Sequence, residues 1–141
     1  MIIVISKVIH EQIQSHAAAC YPEECCGLLI GQDDGQCKRI QAIRKVQNAA
    51  EESRQNRYLI APLDLLDAEK FARDYGWEIL GIYHSHPDHL PHPSRRDREH
   101  AILYYSYIIL SVSKDRVGEL SCWVLRDWDG QFTPEKVQVF D

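Results

Sequence analysis

Two histidines one residue apart, His84 and His86, followed by Asp97, put three metal-ligating side chains into a span of fourteen residues. If Ile79 to His86 is a strand, alternate residues share a face, so the two histidines point together with Cα atoms roughly 6.5 to 7 Å apart. Two imidazoles then reach one ion. Zinc bonds imidazole nitrogen at about 2.0 Å, and a catalytic zinc keeps three protein ligands and one position for water. Asp97 is the natural third ligand. A second reading covers part of the same stretch: Ser94 and Asp97 have the spacing of a capping box, in which the serine caps a helix and the acidic side chain three residues on reaches back to its amide. That reading accounts for Ser94 and Asp97 without metal and leaves the histidines as polar surface at a strand end. On these residues alone, both readings stand.

Upstream lies Tyr21-Pro22-Glu23-Glu24-Cys25-Cys26-Gly27-Leu28-Leu29-Ile30-Gly31, in which an acidic pair precedes a Gly-containing apolar strand. Taken alone, carboxylates beside proline belong to a solvated turn. Taken with His84-Ser85-His86-Pro87, the seven residues that separate His86 from Ser94, and Asp97, the chain resembles the JAMM motif of the MPN+ (Mov34/JAB) zinc metalloproteases. Every motif position is filled. The resemblance runs from Tyr21-Pro22 through Gly81-Ile82-Tyr83 to Ser121-Cys122-Trp123, and the motif glutamate stands three residues before the glycine, which selects Glu24 over Glu23.

The resemblance implies zinc held by His84, His86 and Asp97, Glu24 as general base, and Ser94 hydrogen-bonding near the metal to stabilise the developing oxyanion. Zinc would lower the pKa of a bound water from about 15.7 toward 7. It also implies a substrate: the amide after the C-terminal Gly-Gly tail of a ubiquitin-like protein, here of the sulfur-carrier type that short prokaryotic relatives process. Glycines lack Cβ and let the scissile backbone come close to the metal while the tail adds to a sheet edge. Two other function classes compete. One is a non-catalytic MPN-type scaffold that binds a protein partner. The other is a zinc amidohydrolase acting on a small molecule or a cell-wall peptide.

Composition agrees with a small enzyme. The 141 residues suit one domain, 1–141, with a real core, and the net charge of −5 argues against a nucleic-acid surface. The cysteines Cys20, Cys25, Cys26, Cys37 and Cys122 are odd in number and include no C-x-x-C pair, so free thiols and a reducing, cytoplasmic setting are expected. The run Met1 to Ile5 is too short for a signal peptide, and no stretch reaches the length of a membrane helix. His89 and His92 sit in a proline-rich loop outside the ligand set and are expected at the solvent or substrate face. Trp77, Trp123 and Trp128 are expected in core or rim. Oligomeric state is not legible.

The elements that must position these residues alternate. Met1 to Ile5 reads as a strand, and Ser6 as the cap of a helix to about Ala19 with Val8, Ile9, Ile13 and Ala17 as its apolar stripe. Cys25 to Gln32 and Cys37 to Val46 read as a hairpin across Asp34-Gly35, and Tyr58 to Ile60 as a short strand. Pro62 and Asp64 start a helix that buries Leu63, Leu65, Leu66, Phe71 and Ala72 and ends at Gly76. The ligand strand follows, then a helix from about Arg95 to Leu103 carrying Asp97 in its first turn. Tyr107 to Val112, Leu120 to Arg126 and an edge strand over Gln131 to Val139, broken by Pro134, complete the pattern. The fold expected is α/β, in an α+β layered arrangement: a mixed, mostly antiparallel sheet flanked by helices, with the MPN/JAB, cytidine-deaminase-like architecture the resemblance implies.

Overall fold

Apolar runs with period two supply seven strands, and the computed structural model, which describes residues 1–141, closes them into one ring. In chain order they are β1 (Ile2–Ser6), β2 (Cys26–Asp33), β3 (Cys37–Val46), β4 (Glu78–Pro87), β5 (Ser106–Ser113), β6 (Arg116–Val124) and β7 (Thr133–Phe140). Around the ring the order is β1-β3-β2-β4-β5-β6-β7. β1 runs parallel to both β3 and β7, and β4 parallel to β5; the other pairs are antiparallel. The sheet is therefore mixed and mostly antiparallel, as expected, but closed. β7 is not an edge strand: it pairs with β6 around Pro134 and with β1 beyond it. Proline lies at the start of that strand, where a missing N–H is tolerated.

Three helices join the strands. α1 (Lys7–Cys20) begins at Ser6, whose hydroxyl accepts from the Ile9 amide at 3.1 Å. Its buried stripe is Ile9, Ile13 and Ala17; Val8 faces solvent, because it sits one residue outside the 3.6-residue repeat. α2 (Pro62–Asp74) starts with proline in its first turn and ends before Gly76, whose φ of 73° suits glycine. It buries Ala68 and Ala72, with Leu65 and Phe71 packed beside them, while Leu63 and Leu66 are exposed. α3 spans only Arg95–Glu99 and stops well short of Leu103. Tyr58 to Ile60 forms no strand; Leu59 is tied to a neighbouring loop instead, its amide donating to Asn48 Oδ1 at 3.1 Å and its carbonyl accepting from the Ala49 amide at 2.8 Å.

The two faces of the sheet carry separate apolar clusters. Ile3, Ile5, Tyr83, Ile108 and Leu110 meet α1 on one face, and Leu28, Ile30, Ile82, Tyr107 and Leu125 meet α2 on the other. β4 lies between β2 and β5 and is buried from Leu80 to Pro87. Alternation places His84 and His86 on the Ile82 side, at the carboxyl end of a central strand. Close approach is built into the flanks: a Cβ on Gly27 would fall 2.3 Å from the Tyr83 ring, and one on Gly81 would fall 1.8 Å from the Ser106 carbonyl oxygen. No helix is long and apolar enough to cross a membrane, and the five cysteines are unpaired.

Candidate active site

The end of β4 delivers His84 and His86, and α3 delivers Asp97. His84 Nε2 lies 3.3 Å from His86 Nε2 and 3.3 Å from Asp97 Oδ1, and His86 Nε2 lies 3.2 Å from Asp97 Oδ2. Four ligands around zinc at about 2.0 Å sit about 3.3 Å from one another, the edge of the tetrahedron. The two imidazole nitrogens already stand at that spacing, each faces its own oxygen of the Asp97 carboxylate, and one ligand atom from each of the three residues lies within 4.8 Å of the others. Among His, Cys, Asp and Glu clusters, this is the group whose ligand atoms converge. His89 and His92 are exposed and stand outside it.

Each ligand is oriented from behind. His86 Nδ1 donates to the Leu90 carbonyl at 2.9 Å, which leaves the Nε2 lone pair facing the cluster when the ring is neutral. The His84 ring stacks on Tyr58, with centroids 4.5 Å apart, and its Nδ1 is buried without a partner. Ser94 and Asp97 do form a capping box: the Ser94 hydroxyl accepts from the Asp97 amide at 3.0 Å, and Asp97 Oδ2 accepts from the Ser94 amide at 2.9 Å. The two readings of these residues thus coexist. The box fixes the carboxylate that meets the histidines. Because the Ser94 oxygen accepts within the box, its O–H remains able to donate elsewhere.

Glu24 is 5% exposed, and its Oε1 has no hydrogen-bond partner. Glu23 instead pairs with Arg54 at 3.2 Å on the surface. The strand pairing explains the placement of Glu24: Cys26 is opposite His84, and the Cys25 amide donates to Ser85 Oγ at 2.8 Å, so the residue before Cys25 arrives beside the histidines. Its backbone is held on both sides, the amide donating to Arg54 O at 2.8 Å and the carbonyl accepting from Asn48 Nδ2 at 3.1 Å.

Electrostatics separate the two carboxyls. Burial, with some repulsion from Asp97, pushes the Glu24 carboxyl up to about 8 against the pull of His86 and Arg96. Burial also opposes ionisation of Asp97, but His84, His86 and the Ser94 amide outweigh it and hold that group well below the usual carboxylate range. Burial disfavours the His86 imidazolium, yet Asp97 and the Leu90 carbonyl raise its pKa overall. One carboxyl is tuned to hold a proton near neutrality and the other to stay an anion. That division suits one base and one ligand.

Residues 6–126 match the family described as prokaryotic homologs of the JAB domain. The chain belongs to this family. It is 35% identical over 124 residues to the desampylase of Haloferax volcanii, an alignment spanning 85% of this chain and 83% of that one. It is 29% identical over 109 residues to the probable TtuB-protein conjugate cleaving protease of Thermus thermophilus, covering 77% and 70% of the two chains. A protein of Desulfitobacterium hafniense solved in solution superposes with a TM-score of 0.85 at 27% identity, covering 97% of this chain and 92% of its own. The JAB family is the one the motif pointed to, and the mixed sheet with flanking helices is its fold.

In this JAB-domain chain, sequence reading missed the supports of the site rather than its centre. Tyr58, the Leu90 carbonyl and Asn48 reach the ligands or Glu24 only through tertiary contacts, and no spacing signals them. Trp123 was expected in core or rim; it is half-buried and its indole N–H donates to Ser121 Oγ at 2.7 Å, beside the loop that carries Leu90. Trp128 is exposed.

Proposed function

We propose that this chain is a zinc-dependent metallopeptidase that hydrolyses the peptide or isopeptide bond after the C-terminal Gly-Gly tail of a ubiquitin-like, sulfur-carrier type protein. The observation that carries the reading is the convergence of His84, His86 and Asp97, one ligand atom from each within 4.8 Å of the others, beside the partnerless buried oxygen of Glu24. Relatives named for cleaving ubiquitin-like conjugates support the substrate class.

His84, His86 and Asp97 would hold the metal, which when bound supplies a Lewis acid that makes water nucleophilic near neutral pH and polarises the scissile carbonyl. Glu24 takes the proton of the attacking water and returns it to the leaving nitrogen, the role a carboxyl with a pKa near neutrality performs best. Ser94 donates its free O–H toward the carbonyl oxygen as that atom gains charge. Asp97, kept ionised by its neighbours, takes no part in proton transfer. The β4 end and the α3 cap hold these groups on rigid backbone, so little reorganisation accompanies the reaction.

The reading is tested by mixing the zinc-loaded protein with a sulfur-carrier protein extended beyond Gly-Gly and weighing the products. Wild type is expected to release the extension, and Glu24→Gln to bind zinc at full stoichiometry yet release none. Equal cleavage by both would remove Glu24 from the mechanism. His84→Ala is expected to lose most of its zinc; full retention would place the metal elsewhere.

A further inference from the structure

Beside the metal ligands opens a cavity of about 200 Å³ whose lining includes Arg57, Tyr58, Ile60, Ile82, Arg96 and Asp97. Half of its lining is apolar, and its positive charge comes from two guanidinium groups on different elements: Arg57 on the segment before α2, and Arg96 in α3. Arg39, Arg44, Arg54 and Arg95 each face a carboxylate of this chain. Arg57 and Arg96 face none within ion-pair distance, as is true of Arg73, Arg98, Arg116 and Arg126, but these two line one cavity beside the site. Of the acidic groups nearby, Asp97 is committed to His84 and His86, and Glu24, whose carboxyl Arg96 attracts, makes no ion pair with it. Glu51 and Glu52 line the adjoining groove with both arginines but pair with neither. His100 at the rim is exposed.

Arg57 adds a second observation. Its Nε is buried and has no hydrogen-bond partner. A buried donor without a partner is costly; this Nε is closed off from the cavity, so a ligand there would meet the guanidinium through its other nitrogens. A guanidinium fork matches the two oxygens of a carboxylate. The cavity has the volume of roughly six or seven waters at about 30 Å³ each, room for one side chain and a carboxylate.

We propose that Arg57 and Arg96 form a carboxylate-binding pocket that selects substrates carrying an anionic group next to the scissile bond. This rests on the peptidase reading above and deepens it by naming the substrate feature that the site reads. Two sources have the same chemistry: the free α-carboxylate of a one-residue C-terminal extension, and an Asp or Glu side chain beside the Gly-Gly tail. The first makes the protein a trimming enzyme that removes a terminal residue. The second makes it selective for acidic sequence around a conjugated site. In either case Tyr58, Ile60 and Ile82 pack the aliphatic part of the residue and dry the charge pair, which strengthens it.

Binding and cleavage are measured separately. Zinc-loaded Glu24→Gln protein is titrated by calorimetry with short peptides ending in Gly-Gly-Leu as free acid or amide, and with amidated Gly-Gly-Asp or Gly-Gly-Asn. Discrimination of about tenfold or more in Kd is expected for one anionic member over its neutral match. Preference for acid over amide identifies the α-carboxylate, and preference for Asp over Asn identifies the side chain. Adding Arg57→Gln or Arg96→Gln, each checked for an unchanged melting temperature, is expected to bring that ratio close to one. Equal binding of both matched pairs, or discrimination that survives both substitutions, overturns the pocket. Discrimination in binding with no turnover of any extended carrier by wild type overturns the peptidase reading and leaves the pocket standing. Turnover with no discrimination does the reverse.

Discussion

At the scale of single residues, Asp97 Oδ2 serves two structures at once, accepting from the Ser94 amide at 2.9 Å and meeting His86 Nε2 at 3.2 Å. Removing the Ser94 hydroxyl takes the acceptor from the Asp97 amide and leaves the Ser94 amide on the carboxylate. Ser94→Ala is expected to cost about 1 kcal/mol in stability through the lost cap and to lower kcat on an extended carrier by roughly 10²-fold or more through the lost donor; a variant with the stability loss but unchanged kcat would confine Ser94 to capping. Glu24 allows a signed pH test. Its carboxyl is held at about 8 in the fold against an ordinary value of 4.5, so the folded protein keeps a proton that the unfolded chain releases. The stability it contributes is full below about pH 4.5 and is lost as the pH rises through about 8. In the presence of chelator, denaturant midpoints of wild type are expected to fall between pH 5 and 8.5, and those of Glu24→Gln to fall less, by roughly 2 to 4 kcal/mol in the difference. Parallel curves would mean that water reaches Glu24 freely.

At the scale of elements, local signals read well where one segment decides its own fate. Ser6 caps α1, Asp34-Gly35 turns the β2–β3 hairpin, and Ser94 starts α3, each through bonds within a few residues. Misreadings arose where packing partners decide. Leu63 and Leu66 lie in a helix yet face solvent, because α2 offers the sheet only the stripe of Ala68 and Ala72. Tyr58 has a β-prone sequence context yet serves as a lid on the His84 ring, because Asn48 satisfies the neighbouring backbone. Asn48 joins the two halves of the site: its Nδ2 donates to the Glu24 and Arg57 carbonyls, and its Oδ1 accepts from the Ala50 and Leu59 amides. Asn48→Ala is expected to lose about 1 to 3 kcal/mol, since four hydrogen bonds, three of them partly buried, are lost, and to lower kcat/KM more than stability alone explains. Asn48→Asp keeps the two acceptor bonds but not the donors, so it should recover part of the stability and little of the activity. Equal activity in both variants and wild type would show that the loop does not position Glu24.

At the scale of the whole molecule, closure of the sheet was the feature least legible in the chain. It depends on β1 pairing with β3 and β7, and the β7 contact joins segments at opposite ends of the sequence, which no local pattern announces. The proposed ligands, by contrast, were legible because their spacing reflects one strand end and one helix start. The sheet itself is held by strand pairing and by the two apolar clusters on its faces. Metal binding should then add stability without being needed for the architecture, unlike small zinc modules that unfold when stripped. With free zinc at about a hundred times its Kd, linkage gives about 2.7 kcal/mol, which for a domain of this size shifts the melting temperature by roughly 10 °C. Stripping the protein with chelator at pH 7.5 is expected to produce that drop with an unchanged far-ultraviolet circular dichroism spectrum at 20 °C. Loss of the spectrum on stripping would make the metal part of the fold, and identical melting with and without chelator at pH 7.5 would remove His84, His86 and Asp97 as its ligands.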